Sequence, residues 1–143
     1  RAMESKMSKK TKQILKSVGL WFVTIAVAGM FFMSGSGKLM AADPYPASFA
    51  KWGYDAWFMY FTGGLEVLAA IALLIPRFAS LGALALGGVM AGAAVIHLMH
   101  GEYSFLVVNG ALFGALVLIG SVRRGWVLER FGLHPDPVPI RHG

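Results

Sequence analysis

The sequence predicts an all-α integral membrane protein, a four-helix bundle with short turns and one longer outer loop, and three observations carry that prediction. The 143 residues are 57% hydrophobic and only 14% charged, with a mean hydropathy of +0.63, a composition that water does not hold folded alone. Four apolar stretches approach the roughly 20 residues that cross about 30 Å of hydrocarbon at about 1.5 Å per residue. The net charge of +6 gathers at the ends of those stretches, which is the membrane pattern and not the nucleic-acid one, so no nucleic acid is expected as a partner.

Taken in order, residues 1–17 form a basic arm with Lys6, Lys9, Lys10, Lys12 and Lys16, too charged to enter lipid. A signal-peptide reading fails at its far end, because the apolar run passes Met33 into Ser34 to Leu39 without a small-x-small boundary. The first span is therefore retained and runs over 18–40. The second covers 57–75 and is stopped by Pro76 and Arg77, the third covers 78–99 and the fourth 105–122. Together they make one domain over 18–122. Full-length runs of this kind argue against re-entrant hairpins.

Between the first two spans, Asp43, Pro44, Tyr45 and Pro46 lead into Phe49, Trp52, Tyr54 and Trp57. Such amphipathic rings suit the headgroup layer, and a short interfacial helix or lid is expected there. The tail over 123–143 holds Pro135, Pro137 and Pro139 and is expected to be extended. Eleven of the 13 Lys and Arg residues fall on one side of this topology, leaving only Lys38 and Lys51 on the other. Both termini are accordingly expected in the cytoplasm.

Lys38, Glu66, His97 and Asn109 each interrupt a different apolar stretch, and lipid makes such groups costly unless they face the bundle interior, pair, or line a pathway. Glu66 lies nine positions from Trp57, about 13 Å below the outer interface. Lys38 and His97 fall near the outer ends of their spans, and Asn109 about 6 Å inside the fourth. The small neighbours Thr62, Gly63, Ala69 and Ala70 around Glu66, and Ala93 and Ala94 before His97, favour inward facing. Gly88 and Gly92, and Gly110 and Gly114, have the small-xxx-small spacing that permits backbone contact between helices. All four polar groups are thus expected around one cavity open on the non-cytoplasmic side.

In that cavity Glu66 and His97 are the candidate catalytic or proton-handling residues. Glu66 can exchange a proton or be held ionised by Lys38 or a protonated His97, and the alternative is a structural clasp between the first two spans. His97 can hydrogen-bond a ligand carbonyl or serve as a packing residue. Lys38, Asn109 and Trp57 are the candidate ligand-binding residues. For Lys38 the competing reading is a side chain that snorkels to water, and for Asn109 a hydrogen bond across helices. Trp57 competes with a plain interfacial anchor.

A metal site from His97 and His100 would need further ligands from Glu66, Glu102 or aspartates, and none is assigned. With no cysteine, neither a disulfide nor a thiolate metal site can form. Ser34 to Lys38 lacks the spacing of a phosphate loop, and no nucleophile elbow or haem attachment motif is present.

The pieces Ser34-Gly35-Ser36-Gly37-Lys38-Leu39, Gly64-Leu65-Glu66-Val67-Leu68 leading to Leu73-Leu74-Ile75-Pro76, Met90-Ala91-Gly92-Ala93-Ala94 through His97-Leu98 with Gly101-Glu102, and Val108-Asn109 occur in an order that resembles the DoxX-like family of small bacterial membrane proteins. The resemblance covers about residues 18–122. It implies a four-helix bundle in the bacterial cytoplasmic (inner) membrane and, by name, kinship with the small membrane subunit of thiosulfate:quinone oxidoreductase. The resulting expectation is a redox-associated or ligand-binding subunit, with a quinone-like or other small amphipathic molecule in the outer cavity. A nonenzymatic assembly subunit and a proton-linked small-solute carrier are the alternatives, and whether the chain is an enzyme stays open. The expected partners are the bilayer, that ligand, a membrane or redox protein, and a second copy of the chain. No cofactor is named by the sequence.

Overall fold

The computed structural model describes residues 1–130. Its elements are α1 (Ala2–Leu39), α2 (Tyr45–Lys51), α3 (Ala56–Leu74), α4 (Ala79–Met99) and α5 (Tyr103–Arg130). All but α2 are long and apolar enough to cross a membrane. The expected all-helical membrane bundle is observed, with α2 as the short helix in the longer loop.

Two boundaries differ from the sequence expectation. The basic arm continues α1 as helix, because residues 2–17 contain no Gly or Pro and are rich in Lys, Met, Leu, Gln and Glu, which let a helix propagate. At the other end α5 runs past Val122 to Arg130, since no proline stops it before Pro135. The expected extended segment with Pro135, Pro137 and Pro139 lies outside the described residues.

Local chemistry closes the turns. Ile75, forced out of the helical region by the following Pro76, ends α3 in an extended conformation. Three residues later Phe78 starts the next helix, its carbonyl accepting from Gly82 N–H at 2.9 Å. At the end of α4, Gly101 adopts φ +69, a left-handed conformation that glycine takes without penalty. The reversal lets Glu102 N–H donate to His97 O at 2.9 Å.

Helix α1 packs along α3 and α4 along α5, and the two pairs join through α3 and α4, with less contact between α1 and α5. The tightest approach is at Gly35 and Gly63, where a Cβ on either would come within 2.8 Å of the other's carbonyl oxygen. Gly82 meets α3 in the same way, 2.7 Å from Ala69 O. By contrast, nothing lies within 4 Å of a Cβ at Gly88, Gly92, Gly110 or Gly114. The expected backbone contacts at those four positions are not made within the described residues, because all four are exposed and no neighbouring helix lies against them.

The continuous apolar core, with Phe31, Leu73, Leu86, Leu116 and Ile119 among its members, fills the half of the bundle nearest the α3–α4 turn. The half nearest α2 is open by comparison. Around the outside, Phe22, Met33, Leu84 and Val107 are each at least 74% exposed, a belt suited to acyl chains and not to water.

Candidate functional site

The site is built at the open half of the bundle, and Gly63 is where it starts. Because α1 and α3 touch backbone to backbone there, Lys38 at the last turn of α1 lies beside α3, with its Cβ 2.8 Å from where a Gly63 Cβ would stand. Gly63 is seven residues into α3, about 10 Å along the helix, so α1 ends well below the start of its partner. The chain between them folds into the resulting niche as α2.

Gly37 has no side chain, and the Tyr45 ring occupies the space where its Cβ would be. The same ring stands 4.8 Å from the Lys38 ammonium, a cation–π distance. Lys38 is thereby buried and does not snorkel; α2 covers the route to water. Its Nζ donates to Ser34 Oγ at 2.7 Å and to both carboxylate oxygens of Glu66 at 2.9 Å. Glu66 is 2% exposed. An ammonium has three protons, and here each has an acceptor.

His97 sits at the mouth of the same space. Its ring stacks on Phe105 at 5.0 Å and meets Trp52 edge-on at 5.4 Å. Nδ1 lies 2.8 Å from Glu102 Oε2, while Lys51 Nζ, brought across by α2, donates to Glu102 Oε1 at 2.6 Å. These contacts, that from Lys51 first and that from His97 second, pull the Glu102 carboxyl down from 4.5 to about 2. An ionised carboxylate only accepts, so Nδ1 carries the proton of that bond.

Asn109 on α5 is buried, and its Nδ2 has no hydrogen-bond partner. The expected bond across helices is not formed. The indole Nε1 of Trp52 is likewise buried without an acceptor. Buried donors of this kind cost about 1–3 kcal/mol each unless something accepts from them.

Lys38, Glu66, His97 and Asn109 all line one cavity of about 770 Å³. Trp57 is not on its wall: the residue is 65% exposed, and its ring meets that of Phe58 in an edge-on arrangement with centroids 5.8 Å apart. Trp52, five residues earlier, stands in the cavity instead. Glu66 and His97, weighed as partners in the sequence, have separate ones, Lys38 and Glu102. The sequence placed Lys51 only on the outer side, Trp52 only among the interfacial rings, and Glu102 only as a possible further metal ligand; none was expected to pair or to line the cavity. The available signal was Lys51, one of two cations on an otherwise cation-poor side, with an acidic residue in the facing turn.

Among the described residues, no group of three or more His, Cys, Asp or Glu converges as a metal site. His100 lies apart from His97 in its bonding, with Nδ1 2.8 Å from Ile96 O.

No curated protein and no solved structure matches the chain. The family model described as the DoxX-like family matches residues 22–120, a stretch that takes in the α1–α3 glycine contact, α2 and all four polar residues of the cavity. By that match, the chain belongs to the DoxX-like family.

Proposed function

We propose that the protein binds a small, neutral, quinone-like amphipathic molecule in the cavity beneath α2. The single observation that carries this is the chamber's polar lining: its charges are matched in pairs, while two buried donors, Trp52 Nε1 and Asn109 Nδ2, have no acceptor. Lys38 balances Glu66, and Lys51 balances Glu102, so an ionic ligand would find no counter-charge. A neutral ligand with carbonyl oxygens supplies what the donors lack. The volume lies within the range of about 300–1,000 Å³ usual for small-molecule sites, and the walls are mostly apolar.

In this reading Asn109 and Trp52 orient the polar head, Lys38 fixes the Glu66 carboxylate, and Glu66 and His97 are the groups able to pass protons to or from the ligand's oxygens. Electrons, if the ligand is reduced, come from a membrane or redox protein partner. The bias of Lys and Arg toward the arm, the Arg77 turn and the end of α5 supports a bacterial inner-membrane location with both termini in the cytoplasm and the cavity facing the other side.

Mass spectrometry of the organic extract of protein purified in mild detergent tests the reading. A carbonyl-bearing neutral molecule is expected from the parent protein and is expected to be lost from Asn109→Leu. Extracts free of any such molecule, together with no binding of added benzoquinones, would refute it. One observation favours a second reading, a helix clasp alone: the Lys38 ammonium is already fully bonded within the protein. That reading expects Glu66→Gln to lower stability and the parent protein's extract to hold no carbonyl-bearing molecule.

A further inference from the structure

We infer that the cavity opens sideways into the hydrocarbon core through a gap between α3 and α4, and that its ligand carries an apolar tail lying in that gap. This rests on the ligand-binding role proposed above. The two helices touch backbone to backbone at Gly82, with Ala69 O and Leu73 N under 3 Å from a Cβ placed there. Six and ten residues further along α4, Gly88 and Gly92 line the cavity, yet both are exposed and a Cβ on either meets nothing within 4 Å. Across from them α3 presents Phe61, 60% exposed, and the half-buried Leu65, which line the same cavity. The space that begins at Lys38, Glu66 and Asn109 therefore continues outward to the surface of the bundle.

Helical geometry says which side of α4 this is. At about 100° per residue, Gly82 points at α3 and Gly87, 3.8 Å from Phe113, points at α5. Gly88 and Gly92 fall on the flank of α4 that lies beyond α3, away from the bundle axis. Phe61 and Leu65 fall on the corresponding flank of α3. Depth identifies the medium outside. Gly88 is nine residues from Ala79 and eleven from Met99, about 14 Å from the nearer end of the span, where a bilayer offers acyl chains and no water.

The chamber is polar at its inner end, while at this outer end α4 lines it with Gly88, Val89, Gly92 and Ala93 and α3 with Phe61 and Leu65, all apolar. A ligand matching both ends is a single amphiphile, with acceptor oxygens on its head and one hydrocarbon tail. The two glycines keep the tail's path open. They are specificity-determining positions for tail length, and do not touch the head.

The experiment uses the protein in lipid nanodiscs and follows quenching of tryptophan fluorescence by a benzoquinone bearing either a methyl or a decyl substituent. The Gly88→Leu/Gly92→Leu variant is expected to weaken binding of the decyl probe tenfold or more and to leave the methyl probe within twofold. Gly114→Leu, facing lipid elsewhere, is expected to change neither. The single variants Gly88→Leu and Gly92→Leu, each expected to weaken the decyl probe about threefold, keep the test decisive if the double variant does not fold. Unchanged decyl affinity in the folded variants, with both probes still binding the parent, overturns the gap alone. Failure of the parent to bind either probe overturns the binding role and the gap together.

Discussion

The Lys38 and Glu66 side chains show how one buried pair can be both necessary and dispensable. Removing one partner strands a charge in a medium that cannot solvate it, which costs about 3–5 kcal/mol, whereas replacing both with apolar groups of similar size is often neutral. Lys38→Met is therefore expected to lose stability on that scale in denaturant unfolding from micelles, and Lys38→Met/Glu66→Met to recover most of it. Equal losses in the two variants would contradict the pairing. Glu102 gives a pH dependence with a defined sign. Its carboxyl is held near 2 in the fold against 4.5 ordinarily, by Lys51 and then His97, so its contribution is complete above pH 4.5 and fades as the pH falls toward 2. The contact that ties α2 to the α4–α5 turn should loosen over that window. Hydrogen exchange of the α2 amides, corrected for intrinsic rates, should speed up there, and Glu102→Gln should show the faster exchange already at neutral pH.

Between elements, the glycines sort by what they face and not by their spacing. Gly35 and Gly63 bring α1 and α3 close enough for Lys38 to reach Glu66, and a methyl group on either would strike a carbonyl oxygen. Gly35→Ala and Gly63→Ala are each expected to cost about 1–3 kcal/mol, the scale of overpacking a close-fitting interior. Gly110→Ala and Gly114→Ala, with nothing within 4 Å, should stay within about 0.5 kcal/mol. Thermal unfolding of the four variants in one detergent makes the comparison, and equal effects would show that the α1–α3 contact is not selective. Helix α2 depends on the same contact, since it occupies the niche left where α1 stops short. The small-xxx-small pattern on α4 and α5 is as regular as any in the chain, yet no feature of it says whether a neighbouring helix, a cavity or lipid lies opposite.

Over the whole molecule, the bundle is closed by apolar packing near the α3–α4 turn and left open near α2, and this asymmetry makes a chamber out of four otherwise ordinary spans. Legible in the residues alone were the class, the number of spans, six of their eight ends to within two residues, the short helix in the long loop, and which polar residues stand out; the start of α1 and the end of α5 were not. That much is legible because insertion into lipid is a local property: each stretch meets the bilayer largely as a stretch, and Pro76 or Gly101 ends a helix whatever else is nearby. The partners, by contrast, are set by packing. Glu66 bonds Lys38 and not His97, His97 bonds Glu102, Trp52 stands in the cavity where Trp57 does not, and Asn109 is left without an acceptor. Those facts depend on how far α1 and α3 approach and on which side of α4 the wall breaks. They follow from the rotation and depth of one helix against another, which side-chain volumes summed over the whole bundle decide and no single stretch of residues encodes.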